Sequence, residues 1–469
     1  MKIFGGGRPD HPMAERKQAR KLLDELPPQD QKALVELAHW HESVAGAEGF
    51  KAEDRAQLLS MIDEAAQPRL KKLGGEYLRA AKVQQNLLWT RIHEYWRQAG
   101  HAYARALEAK PLPELASGAL RALAQQLKWQ HLRYGPIDAA VWGSMNKIYA
   151  AAEAKGMAAG VKSEYLKAAL FAASAMDSRL AAEMELAEGV IEVLAAGFAI
   201  EKSPAAERPY WIDLDRAMLP ARAKQAPQPA AGLRFIGPGM ALGALQSMIG
   251  TLEKGQLPAE LKLGGADAES VLGVVRHLAA HWAPAPPERR HKRVAVTSQF
   301  KIVHGFSAVI EALGGDTDSL DFGAGEPLTW TAENVSAGGF GALAPIARSD
   351  WLKVGALVAA WPDGAPGWMV GTVRRVAKVS AQEIRIGVET LSRNPAITHF
   401  ALRGNGSIQG VLLPAPSGEA SIALKVGVYT RGENLETTMS GRQLVYMPQG
   451  VAARGEDYEI VKAKEMVRE

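Results

Sequence analysis

Six consecutive residues, Glu-Arg-Arg-His-Lys-Arg at 288–293, put four permanent cations into a short stretch opposed by one carboxylate. A guanidinium is planar and always charged, so Arg289 and Arg293 can each hold a phosphate with two parallel hydrogen bonds or lie flat on a purine ring. Further on, Asn334-x-Ser336-x-x-Gly339 has a complementary chemistry. The asparagine amide can match a purine edge, and the serine hydroxyl can reach a phosphate or a backbone group. Gly338 and Gly339 let the backbone approach a flat ligand. These two elements fit an anionic ligand with a planar base, and Arg290 is a secondary contact on the same segment.

Other chemistries are poorly supplied. The chain has no cysteine, which excludes disulfides, thiolate metal sites and cysteine nucleophiles. No Gly-x-Ser-x-Gly or His-Glu-x-x-His occurs, so the reading is that of a protein without catalytic activity. His277 and His281 stand four apart on an expected helix, but with no third ligand beside them a structural role is expected, and no metal or cofactor. Gly237-Pro238-Gly239 leads into a helix yet lacks the Lys-Ser/Thr of a phosphate loop. A net charge of +4 over 469 residues does not call for DNA or RNA as a partner. The most apolar run, Gly189 to Ile200, is broken by Glu192 and is far short of the roughly 20 residues that span a bilayer, so membrane insertion is not expected. With 47% hydrophobic and 23% charged residues, the expectation is a cytoplasmic globular protein of two or more domains.

The elements that must position these groups change character along the chain. After a Gly- and Pro-rich start, read as a disordered tail (1–12), residues 13–202 are rich in Ala, Leu, Glu, Lys and Gln and read as an all-α helical domain. Pro27-Pro28, Gly46 to Gly49, Pro111 to Pro113, Gly135-Pro136 and Gly156 to Gly160 divide that region into helices. In one of them Leu88, Ile92, Tyr95, Trp96, Ala99 and Tyr103 share a face and predict a core stripe. Residues 203–231, with five prolines, read as a linker. Residues 232–283 read as a small α/β module, with strands at Leu233 to Ile236 and Leu261 to Leu263 and helices at Met240 to Lys254 and Ala268 to His281. Past the stiff Ala-Pro-Ala-Pro-Pro at 283–287 the apolar period becomes two, predicting a small antiparallel β-barrel over 284–395. Residues 396–469 continue in the same style as a C-terminal β extension or second β domain, ending in a charged, solvated tail from Lys462. The fold class is multidomain α+β.

With both elements in this order inside a strand-rich segment, residues 285–395 resemble the PilZ domains, bacterial receptors for cyclic di-GMP. That family carries Arg-x-x-x-Arg before its first barrel strand and Asp/Asn-x-Ser-x-x-Gly later, and Arg385-Ile-Gly-Val-Glu-Thr-Leu391 is similar to its closing strand. The chain departs from the pattern in a longer interval between the elements, where Gly-Gly-Asp-Thr-Asp at 314–318 reads as an inserted loop, and in Thr390, where an aromatic is common. The resemblance implies a PilZ-like β-barrel and cyclic di-GMP as ligand. Arg289 and Arg293 would clamp phosphates and stack on guanine, Asn334 would read a guanine edge, Ser336 would support a phosphate and Gly339 would permit close approach. It further implies an effector that couples the nucleotide to a protein partner, for which the helical region is the expected docking part. The alternative is a nucleotide-independent interaction scaffold.

Overall fold

The computed structural model describes the chain except residues 1–8, 157–158, 226–227, 289, 316–326, 402–405, 415–418, 431, 440 and 469. It divides into two compact units, Met1–Pro287 and Glu288–Glu469, so the boundary falls at the end of the proline-rich segment.

The first unit begins with eight α-helices: α1 (Arg16–Asp24), α2 (Asp30–Gly46), α3 (Ala52–Arg79), α4 (Lys82–Ala109), α5 (Pro113–His131), α6 (Ala139–Ala154), α7 (Ala159–Ala173) and α8 (Ala181–Leu194). Each expected Pro or Gly break separates two of them. Pro113 opens α5, where its missing N–H costs nothing. Asp138 caps α6, accepting from the Ala140 N–H at 2.8 Å. Punctuation fails elsewhere. Pro68, Gly74 and Gly75 lie inside α3, whereas α3 and α4 are parted at Ala80–Ala81 with neither residue type present. The burial of Leu58, Leu59, Ile62, Ala66, Leu70 and Leu73 on one face keeps α3 continuous past its proline. The predicted stripe of α4 is buried throughout. His11, in the expected tail, is tied down: its Nε2 lies 2.8 Å from Ser43 Oγ and its ring packs against Trp40 and Phe50.

Four helices meet at one carboxylate. Asp63 of α3 is buried and accepts from His41 Nε2 (3.1 Å) and the Tyr95 hydroxyl (2.8 Å) on one oxygen. The Tyr103 hydroxyl and Arg121 Nη2, both at 2.8 Å, take the other. Burial alone would raise the Asp63 pKa. The His41 hydrogen bond and charge, the Arg121 cation and the Tyr95 hydroxyl outweigh it and hold the group at about 2.

Beyond α8 come β1 (Ala199–Glu201), β2 (Tyr210–Asp213), β3 (Ala221–Arg222), β4 (Leu233–Gly237), α9 (Ala241–Leu252) and α10 (Ala268–Trp282). The strands form an antiparallel sheet in the order β1-β4-β2-β3. The stretch 203–231, expected as a linker, thus supplies β2 and β3, because Tyr210 and Ile212 bury one face of a short strand while Trp211 buries the other with Leu233 and Phe235. The segment Leu261 to Leu263 is not a strand. It pairs with no strand among the described residues, and Leu261 is buried from a turn in which its N–H donates to the Pro258 carbonyl at 3.1 Å. The helices and this α/β part share a single core: Met248, Val274, Val275 and Leu278 belong to the same cluster as Val190, Ile191 and Phe198.

The second unit holds two closed six-stranded antiparallel barrels. The first comprises β5 (Val294–His304), β6 (Leu328–Ser336), β7 (Gly339–Pro345), β8 (Leu357–Pro362), β9 (Met369–Lys378) and β10 (Glu383–Ser392), in the order β10-β7-β6-β5-β8-β9, with α11 (Phe306–Gly314) between β5 and β6. The longer interval noted in the sequence therefore holds a helix after β5; most of the expected loop at 314–318 lies outside the described residues. The second barrel comprises β11 (Ala396–Ala401), β12 (Ser407–Pro414), β13 (Glu419–Lys425), β14 (Leu435–Met439), β15 (Arg442–Arg454) and β16 (Tyr458–Arg468), in the order β11-β12-β13-β16-β15-β14. The expected charged tail is instead most of β16, paired with both β13 and β15. Its exposed Lys462 and Lys464 alternate with buried Val461 and Ala463, which is why it reads as charged.

Strand β8 is apolar on both faces for a reason. Val358 and Ala360 are buried on one face, while Leu357 and Ala359 turn to a second core shared with Phe306 and Val309 of α11 and with Val411, Leu413, Ala423 and Ile460 of the second barrel. Polar contacts pin this joint: the Phe306 N–H donates to Asp457 Oδ2 at 2.6 Å and the Tyr458 hydroxyl donates to the Gly355 carbonyl at 2.8 Å.

Removing the carboxylate that joins the four helices should be costly, because it leaves His41 and two tyrosine hydroxyls in a buried site without their acceptor and takes the partner from Arg121. Asp63→Ala is expected to lose about 3 kcal/mol or more in chemical denaturation at pH 7. With the folded pKa near 2 against the ordinary 3.8, the ionised form contributes about 2 kcal/mol above pH 4 that disappears as pH falls through 2. The gap between wild type and variant should therefore narrow on acidification.

Candidate anion-binding site

The elements singled out in the sequence meet on the outside of the first barrel. Arg293 precedes β5, and Ser336 ends β6. Asn334 faces Ala295 of β5 and Gly341 of β7 in register. Ser336 Oγ donates to the Gly339 carbonyl at 3.1 Å, closing the β6–β7 turn on itself. Two groups from beyond the turn hold it: the Thr390 N–H donates to the Gly338 carbonyl at 3.1 Å, and Arg393 Nη2 donates to the Ser336 carbonyl at 3.1 Å. The backbone of Thr390 does this whatever its side chain.

Gly339 is required at its position. Its φ is +151°, a conformation that residues with a side chain rarely adopt, and a Cβ there would lie 2.0 Å from the Val388 carbonyl oxygen. Strand β10 can close the barrel against β7 only because nothing projects between them. The arginine segment returns over the same turn, with the His291 ring 2.9 Å from where a Gly338 Cβ would stand.

The result is a groove of about 360 Å³ lined by Arg293, Ser336, Gly338, Gly339, Arg374, Arg375, Gly387, Val388 and Glu389. Its volume is in the range of small-molecule sites. Three guanidinium groups border it against one carboxylate. Of the five residues expected to bind, Arg293, Ser336 and Gly339 line the groove together. Arg289 lies outside the described residues, and the secondary Arg290 is exposed. Asn334 is not among the lining residues: its amide is folded over Gly341, 2.9 Å from where a Cβ would be, and its Oδ1 is buried there with no hydrogen-bond partner among the described residues.

Sequence reasoning missed Arg374, Arg375 and Glu389. Along β9, Val373 and Val376 are buried while Arg374 and Arg375 are both exposed, breaking the period of two. The cause is a β-bulge: Gly387 faces Arg375, Val388 faces Val373, and Arg374 is the extra residue. Two adjacent arginines consequently face the same side. Arg374 Nε is 2.6 Å from Glu389 Oε2, and Glu389 faces Gly339 across the β7–β10 pairing.

Elsewhere the unit Met1–Pro287 has larger clefts of about 690 and 840 Å³. The first carries matched charges, with Lys128 Nζ 2.8 Å from Glu185 and 2.5 Å from Glu188. Cleft size therefore does not coincide with the anion chemistry. His277 Nε2 donates to the Ser174 carbonyl at 2.6 Å, and burial, aided by Arg179 and His281, draws its pKa down to about 4. It is a neutral hydrogen-bond donor inside a helix packing. Gly237, in the turn weighed as a phosphate cradle, leaves no room for a side chain because the Glu207 carbonyl would be 2.3 Å from a Cβ. Among the described residues no group of three or more His, Asp or Glu is placed to hold a metal, and no helix is long and apolar enough to cross a membrane.

Gly339→Ala should destabilise the second unit by about 3 kcal/mol, since the added methyl must break the β7–β10 approach as well as adopt an unfavourable backbone conformation. Denaturant unfolding of the full chain, followed by tryptophan fluorescence, measures it.

No curated protein matches the chain. Residues 17–205, from α1 to just past β1, match the family model described as "Cyclic-di-GMP receptor FimW, N-terminal domain", so the helical region is similar to that domain.

Proposed function

We propose that this chain is a cyclic di-GMP receptor that binds the nucleotide on the outside of its first barrel and couples that binding to a protein partner. The observation that carries the reading is the convergence of Arg293, Arg374 and Arg375 with the Ser336–Gly339 turn in one groove. A cyclic dinucleotide offers two phosphates and two purine faces, and guanidinium groups can serve both. The closed six-stranded topology supports a PilZ-like barrel, and the match of residues 17–205 to a receptor domain supports the ligand independently of the groove.

In this reading Arg289 and Arg293 clamp the phosphates and stack on guanine, Ser336 supports a phosphate, and Gly339 keeps the floor open. Asn334 must swing off Gly341 to meet a guanine edge, and its Oδ1 gives up no hydrogen bond in doing so. The protein is a binding switch, without catalysis, acting in the cytoplasm. Nucleotide and partner then change each other's affinity by the same factor, whichever binds first. The helical unit is the docking part for the partner.

A nucleotide-independent scaffold is the second reading. It is favoured by Glu389, whose carboxylate occupies a groove otherwise bordered by cations. Calorimetric titration of the full chain with cyclic di-GMP separates the two. We expect saturable binding that weakens on raising salt and falls by about a hundredfold or more in Arg289→Ala with Arg293→Ala, two charge-assisted contacts being worth roughly 3 kcal/mol or more together. An absence of heat at micromolar protein, or binding indifferent to the double substitution, would favour the scaffold.

A further inference from the structure

Arg374 and Glu389 have no counterpart in the two motifs, yet both line the groove. Glu389 faces Gly339 in register, so its carboxylate rises beside the turn where an anion would sit. It reaches across to Arg374, with 2.6 Å between Nε and Oε2 and about half of each side chain exposed. Arg374 is directed there by the bulge in β9; in a regular strand it and Arg375 would point to opposite faces. An exposed ion pair of this kind contributes little to stability, so its retention of Arg374 is weak. A phosphate dianion or diester competes for the same guanidinium with comparable geometry and is repelled by the same carboxylate.

We propose that Arg374 is a phosphate-binding residue of this groove and that Glu389 is its built-in competitor, so that an anionic ligand binds only by taking the guanidinium from the carboxylate. The inference rests on the cyclic di-GMP reading for the identity of the ligand; the geometry of the pair does not depend on it. Glu389 then sets the threshold concentration of the receptor, trading affinity for a groove that stays closed to weaker anions.

A double-substitution cycle tests this in the full chain with cyclic di-GMP as the probe, with thermal melts confirming that each variant is folded. Glu389→Gln should tighten binding about three- to tenfold, the range expected from freeing an exposed ion pair and removing one like charge. Arg374→Ala should weaken it about tenfold. Adding Glu389→Gln to Arg374→Ala should recover less than half of the gain, on a logarithmic scale, that it gives in the wild type, because there is no guanidinium left to release. If Glu389→Gln tightens binding equally in both backgrounds, the carboxylate acts by repulsion alone and the competitor role is wrong. If wild type binds, Arg293→Ala weakens binding, and both Arg374→Ala and Glu389→Gln stay within twofold of wild type, the pair is a surface ion pair only and the receptor reading survives. If wild type does not bind at all, both ideas fall together.

Discussion

The candidate site depends on how closely β10 can approach the start of β7. Gly339 admits no side chain because the Val388 carbonyl occupies the space one would need. That approach closes the barrel, and closure satisfies the backbone groups that an open sheet would expose. The same contact places Glu389 beside the turn and lets the Thr390 N–H hold the Gly338 carbonyl. A groove with a backbone floor and a rim of guanidinium groups follows from it, since the glycines at 338, 339 and 387 leave depth between the side chains that flank them.

The barrel does not stand alone in its unit. Both faces of β8 are apolar, and the outward one joins α11 and the second barrel in a common core. Residues at this joint are also hydrogen-bonded across it, through Asp457 to the start of α11 and through Tyr458 to the Gly355 carbonyl. An isolated first barrel would expose this apolar face to water. The second barrel is therefore part of what makes the first one stable, whatever else it does.

In the other unit stability is organised around a polar centre inside an apolar one. The Asp63 carboxylate draws one residue each from α2 and α5 and two from α4 to a single point, where an imidazole, a guanidinium and two hydroxyls surround it. A buried carboxylate that must keep four donors around it restricts which helix faces which. The α/β part at the end of the unit completes this core on one face of its sheet and holds a small cluster of Trp211, Leu233 and Phe235 on the other.

The sequence by itself determined the classes of structure and the chemistry of the groove's first half. Proline and glycine breaks divided most of the helices, the switch from a helical to a two-residue period marked the β region, and Arg293, Ser336 and Gly339, singled out by residue type and spacing, line one groove. Local signals misled in three places: Leu261 to Leu263 lies in a turn, the part of β16 from Lys462 onward was hidden by its outward lysines, and α11 was absorbed into an interval. The tertiary structure alone decided that Arg374, Arg375 and Glu389 join the groove and that Asn334 lies folded away from its wall. Strand pairing brings together residues far apart in the chain, and a single bulged residue changes which side an arginine faces; neither is encoded in a local period.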